Sequence, residues 1–240
     1  SLRQAPSLPV MLKQMPVSDD RRSDIHRFWE QTGNFYVSGG GNDNLADPFA
    51  SMSFIPASTG VFRDMTQVRF EYPKWLPEKC TACGDCYTVC PDSAIPGLVN
   101  SLSEVVNTAL ARTERSGPTA QLRRALRTVE KKWRAALSAG GEGCNPHALL
   151  GQAIDDTLKE TILEAGARAH LEDELARFRA ALGEFQFALT KPYYIVKEKR
   201  TLNSGGLFSV TVNPYTCKGC MECVEVCEDQ ALVATAQTAA

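Results

Sequence analysis

The stretch Cys80-Thr81-Ala82-Cys83-Gly84-Asp85-Cys86-Tyr87-Thr88-Val89-Cys90-Pro91 decides how this chain is read. Its spacing returns in Cys217-Lys218-Gly219-Cys220-Met221-Glu222-Cys223-Val224-Glu225-Val226-Cys227. Both read C-x2-C-x2-C-x3-C, a run that holds [4Fe–4S] clusters through thiolate ligands. A cubane cluster needs four thiolates at tetrahedral corners. Three closely spaced cysteines let one loop wrap three irons, with backbone N–H groups turned toward the sulfurs. The fourth cysteine, expected to start a helix, points away and serves the other cluster when the two halves pair about a pseudo-twofold axis. The spacing thus assigns Cys80, Cys83, Cys86 and Cys227 to cluster I. It assigns Cys217, Cys220, Cys223 and Cys90 to cluster II.

Two other uses of cysteine fit less well. Zinc sites draw on C-x2-C pairs, not on triplets with a trailing cysteine. Disulfides need an oxidising compartment, which nothing in the sequence suggests. Of nine cysteines, eight lie in the motifs and Cys144 is left over, within a glycine-rich stretch. A third cluster on this chain would need further free cysteines, so Cys144 reads as an unligated loop thiol.

The chain has 240 residues, 43% of them hydrophobic, which supports a core in one or two domains. A formal charge of −2 argues against a nucleic-acid partner and offers no attraction to a membrane surface. No apolar run approaches a membrane span. The start, Ser1-Leu2-Arg3, lacks both Met and a signal-peptide pattern, so a piece of a longer chain or a processed product is expected, in a reducing cytoplasm.

Read in order, residues 1–54 are expected to be an extended linker or approach segment, with Pro6, Pro9 and Pro16 in a connector that contributes no core. A short helix capped by Ser23 is expected to put Ile25, Phe28 and Trp29 on one face, with His26 beside it as a surface residue. Gly39-Gly40-Gly41 reads as a turn and not a phosphate loop, since no strand leads into it and no helix follows. Val68, Phe70 and Tyr72 alternate with charges, so a strand is expected there, ended by Pro73. Trp75 is then expected to cover the first cysteine loop.

The fold class predicted is α+β: a bacterial-type two-cluster ferredoxin module, residues 55–99 and 191–236, split by a helical insertion over residues 100–190. A short helix and turn are expected at Asp92-Ser93-Ala94-Ile95. In the insertion, four apolar stripes predict helices. They are Leu98, Leu102, Val105, Val106 and Ala109; then Leu122, Leu126, Val129, Trp133 and Leu137; then Leu150, Ile154, Leu158 and Ile162; then Leu171, Leu175, Phe178, Leu182, Phe185 and Leu189. Breaks are expected at Ser116-Gly117-Pro118, between Gly140 and Pro146, and at Gly166. Tyr193–Val196 and Leu207–Val212 read as strands around an Asn203-Ser204-Gly205-Gly206 turn. Ala231-Leu232-Val233 reads as a closing strand ahead of a soft tail. The second helix is basic (Arg123, Arg124, Arg127, Lys131, Lys132 and Arg134, with Arg112 and Arg115 nearby). It is a solvated face or, on a sharper reading, a docking patch for an acidic electron carrier or a neighbouring subunit.

Acidic residues crowd the cysteine loops at Asp85, Glu222, Glu225, Glu228 and Asp229, which favours a low cluster potential. No catalytic triad, paired-carboxylate motif or hydrolase signature is present, so no catalytic residue is assigned. The chain reads as a conductor for chemistry done elsewhere.

Residues 56–99 resemble one family. Pro56-Ala57-Ser58-Thr59-Gly60, Phe62-Arg63-Asp64, Pro73-Lys74-Trp75, the first cysteine triplet and Cys90-Pro91-Asp92-Ser93-Ala94-Ile95 are similar to the ferredoxin-type domain of pyruvate:ferredoxin (flavodoxin) oxidoreductase. So is Phe208-Ser-Val-Thr-Val-Asn213 before the second motif. The resemblance implies an enzyme that oxidatively decarboxylates a 2-oxo acid to an acyl-CoA. Thiamine diphosphate, Mg2+ and a third [4Fe–4S] cluster would sit in other domains or subunits. The implied partners are those domains or subunits and a ferredoxin or flavodoxin acceptor, in a dimeric or larger assembly. The insertion is longer than the family's, and Glu228 stands where a proline is usual. A free-standing polyferredoxin-like relay subunit of another redox complex is the alternative, and a structural role for the clusters a third reading.

Overall fold

The computed structural model describes residues 8, 9, 12, 13, 15–54, 56, 59–62, 65–183 and 185–238. Pro6, and Ala57, Ser58, Arg63 and Asp64 of the resemblance, lie outside the described residues. The approach segment is not extended throughout. It holds short helices α1 (Ile25–Phe28), α2 (Asn34–Val37) and α3 (Pro48–Ser51), with a π-helical turn at Trp29–Gly33. The cap of α1 is Asp24, one residue beyond the expected Ser23: its carboxylate accepts from His26 N at 3.0 Å, while Ser23 donates back to Asp20 O. Leu12, expected to contribute no core, is fully buried against Ile25 and Trp29. The Phe62 ring stacks on Phe28. Leu12 thus joins a small core with Ile25 and Trp29, where its burial removes apolar surface from water.

Two antiparallel ribbons knit the cysteine-bearing halves together. Strand β1 (Glu71–Trp75), ahead of the first motif, pairs with β4 (Leu232–Ala236), beyond the second. Strand β2 (Gly97–Ser101), after the first motif, pairs with β3 (Gly206–Val210), before the second. Pro73 lies inside β1 instead of ending it. Gln237 N donates to Phe70 O and Leu76 N to Ala231 O, so the ladder bonds fall on the even-numbered residues of β1. Pro73 occupies a position that owes the ladder no N–H, as proline in a strand requires. Val68 and Phe70, placed in the strand by their alternation, lie before it and are exposed.

Between the motifs run four longer helices. Helix α4 (Asp85–Val89) belongs to the first motif. Helices α5 (Leu102–Glu114), α6 (Ala120–Gly140), α7 (Pro146–Glu160) and α8 (Ala165–Leu182) form the insertion. The stripe on α6 is buried from Leu122 to Leu137 and meets Leu150, Ile154, Leu175 and Phe178 in one core. Leu98 belongs to β2 and not to the first helix. Ile162 and Phe185 lie past the ends of α7 and α8 and are exposed; Leu189 lies past α8 but is buried. Gly166 sits inside α8, whose break is the extended stretch at residues 161–164.

Helix α6 has no local side-chain cap; the buried Glu174 of α8 accepts from Leu122 N at 2.6 Å in its place. A carboxylate there also opposes the positive end of the helix dipole. On the outer face of α6, Arg124, Arg127 and Lys131 are exposed, while Arg123 pairs with Glu114 and Lys132 with Glu160.

The run Tyr193–Val196 is helical and not a strand: a π-helical turn at Lys191–Ile195 leads into α9 (Val196–Arg200). Pro192 in the first turn suits a helix start. Of the run, Tyr194 is buried, with its hydroxyl donating to Arg134 O at 3.3 Å. The last short helix, α10 (Glu222–Glu225), belongs to the second motif. Among the described residues, no helix is long and apolar enough to cross a membrane.

Candidate metal centre

Aligned on their cysteines, the two motifs repeat one backbone. Positive φ angles fall at matching places: Ala82 (61°) and Gly219 (73°), Gly84 (95°) and Met221 (63°), Ser93 (49°) and Gln230 (53°). Gly84 and Met221, each left-handed and followed directly by a right-handed helix, turn successive N–H groups into a concave nest, a geometry suited to sulfur and other anions. Glycine is demanded at 219, where a Cβ would lie 2.7 Å from Glu71 O. The third cysteine of each motif rides on a short helix, Cys86 on α4 and Cys223 on α10. Cys90 ends α4 instead of starting a helix, because Pro91 holds the residue before it extended. Residues 92–95 accordingly form a turn with no helix. The trailing sulfurs are fixed alike: Ala94 N donates to Cys90 Sγ and Ala231 N to Cys227 Sγ, each at 3.2 Å.

The eight motif cysteines line two small cavities, four to each. Cys80, Cys83, Cys86 and Cys227 line one, below Trp75 and Phe208. Cys217, Cys220, Cys223 and Cys90 line the other, beside Pro73 and Ile95. Each motif therefore contributes three cysteines to its own cavity and the fourth to its neighbour's. Cys144 lines neither; it is half-buried against the helical core. Among the described residues, no three His, Cys, Asp or Glu side chains close on a point fit for a single metal ion.

Burial pushes the Cys86 thiol up to about 11 and the Cys223 thiol up to about 12, with the neighbouring thiols of the same cavity adding to the rise. Burial also raises Cys80, although the Ala82 N–H and the Trp75 indole partly offset it. Trp75 Nε1 is buried near enough to Cys80 to favour its thiolate, yet it makes no hydrogen bond of ordinary geometry in the protein. An unmet buried donor costs about 1–3 kcal/mol. Four crowded thiols and an orphaned N–H ask for the same thing, a cationic core dressed in sulfide acceptors. The residues present therefore fit an iron–sulfur cluster, whose binding displaces the thiol protons.

Three polar residues not singled out from the sequence join the halves. Arg69 Nη1 donates to Cys217 O at 2.8 Å and also to Pro214 O. Lys218 Nζ pairs with Asp92 at 3.2 Å. Thr81 Oγ1 donates to Asp229 at 2.5 Å. The signal was available: residue 81 matches 218 and residue 92 matches 229 once the motifs are superposed.

Residues 72–95 match the family model of a 4Fe–4S binding domain. No curated protein and no solved structure matches the chain. The chain thus carries a ferredoxin-type iron–sulfur domain within an α+β fold, and an iron–sulfur electron-transfer role follows from it.

Proposed function

We propose that this chain holds two [4Fe–4S] clusters, one on Cys80, Cys83, Cys86 and Cys227 and one on Cys217, Cys220, Cys223 and Cys90. The observation that carries the reading is the sorting of the eight motif cysteines into two four-cysteine cavities. When bound, each cluster accepts and passes on one electron. The protein's share is to hold the thiolates, supply N–H donors to sulfur and limit water. Trp75 and Phe208 close the first cavity from the core side, while Cys83 and Cys220 are exposed and give each site an edge toward solvent or a partner.

The wider setting proposed is the electron-transfer domain or subunit of a thiamine-diphosphate-dependent 2-oxo acid:ferredoxin (flavodoxin) oxidoreductase in the cytoplasm. Its support is the Pro73-Lys74-Trp75 approach, which sets Trp75 over the first cavity. Thiamine diphosphate, Mg2+ and a third cluster belong to other domains or subunits of a dimeric or larger assembly. Electrons leave to ferredoxin or flavodoxin. The test adds a panel of 2-oxo acids with coenzyme A to the native, anaerobically purified assembly and follows cluster absorbance and EPR. Bleaching by one oxo acid supports the reading. Reduction only by a nicotinamide or another donor replaces it with the relay-subunit reading.

A further inference from the structure

The two motifs superpose in backbone but not in charge. In both, the residue after the first cysteine is bonded to the residue two past the last cysteine of the opposite motif. On the second motif's side this cross-link is the ion pair Lys218–Asp92. On the first motif's side it is the neutral hydroxyl of Thr81 on Asp229. One carboxylate is neutralised and its counterpart is not. Arg69 adds a guanidinium on the carbonyl of Cys217, bonded at 2.8 Å. Glu228 adds a carboxylate next to Cys227, where the first motif has Pro91.

Beyond these, the charged residues lining the two cavities are one on each side, Asp85 and Glu222. They match each other, Glu78 and Lys79 cancel ahead of Cys80, and Glu225 lies between one ligand of each set. Burial works the other way, since Cys217 and Cys223 are buried while Cys80 and Cys86 are half-buried. That is a difference of degree, with one exposed cysteine in each set. The charge difference amounts to whole charges held beside the ligands.

Resting on the two-cluster reading, we infer that the sites are redox-inequivalent: the cluster on Cys217, Cys220, Cys223 and Cys90 takes the first electron, and Lys218 and Arg69 set that order. Adding an electron makes a cluster more negative, so nearby positive charge raises its potential and unpaired carboxylates lower it. An electron entering at either edge then rests on the second motif's site. Lys218 and Arg69 act as positioning and tuning residues and touch no reacting atom.

The test titrates the full chain, anaerobically purified with its clusters, against dithionite and follows reduction by EPR. Iron is counted first. About eight iron atoms per chain satisfy the two-cluster reading. About four remove that reading and this inference with it. With eight present, two one-electron steps are expected at least tenfold apart in occupancy, about 59 mV. Lys218→Thr copies the first motif's chemistry onto the second and should lower the upper step alone. Thr81→Lys makes the converse change and should raise the lower step alone. Coincident wild-type steps, movement of the lower step by Lys218→Thr, or no movement in either variant would overturn the inference while leaving two clusters standing.

Discussion

Trp75 stands opposite Leu232 in the β1–β4 ladder. The chain thus enters the first cysteine loop on a strand bonded to the one by which it leaves the second. Both side chains are buried and both line the first cavity. Trp75→Phe keeps the apolar cover and removes the orphaned N–H. The variant should retain iron but show a lower potential for the first-motif cluster. A net hydrogen bond of about 0.5–1.5 kcal/mol corresponds to roughly 20–65 mV for one electron. Redox titration beside the parent checks this; an unchanged potential would mean that the indole serves only as cover.

The thiols predict an alkaline weakness of the cluster-free form. Cys86 and Cys223 are raised from an ordinary 9.0 to about 11 and about 12, so the folded state holds their protons more tightly than the unfolded state does. Their contribution is whole below pH 9 and is lost as pH climbs through 11 to 12. Urea midpoints of the apo chain should fall across that window. The cluster-loaded chain, whose ligands carry no proton to lose, should change less.

Glu174 offers a probe of the insertion apart from the clusters. Its carboxylate bonds Leu122 N at the start of α6 and is buried. Glu174→Ala should cost about 1–3 kcal/mol in denaturant unfolding, because it strands a buried N–H. Iron content should stay at the parental level. Loss of iron in this variant would show that the insertion and the cluster module fold as one unit.

Cys144 should account for the one thiol left in the loaded protein. Burial pushes it up, so little thiolate exists near neutrality. A disulfide reagent at pH 8 should titrate about one thiol per chain, more slowly than a free cysteine, and none in Cys144→Ala. The clusters should be spared in both proteins.

The cysteine spacing carried most of what the sequence could say. Each motif is a local object, and ligand types at fixed intervals leave few alternatives. The stripes of α6 and α8 were equally plain, since Leu122 to Leu137 and Leu171 to Leu182 keep a helical period without interruption. The misreadings share a cause. Val68, Phe70 and Tyr193–Val196 look like strand because aromatic and β-branched residues suit either structure in short runs, and only pairing partners decide. Pro73 marks a strand end only if its N–H would have been needed, which depends on the register with Ala234. The Glu174 cap reaches across 52 residues of sequence, and no local signal could announce it. Lys218, Asp92, Thr81 and Asp229 were visible as letters, but their pairing appears only when one motif is laid against the other.

The measurement that tests the account most directly is the iron and acid-labile sulfide content of the anaerobically purified chain, alone and with Cys90→Ser, read together with an EPR redox titration that tells the two clusters apart. The account predicts about eight of each in the parent. In the variant it predicts damage confined to the cluster served by Cys217, Cys220 and Cys223, although Cys90 sits in the other motif. About four iron in the parent, or damage in Cys90→Ser confined to the cluster of Cys80, Cys83 and Cys86, would contradict it.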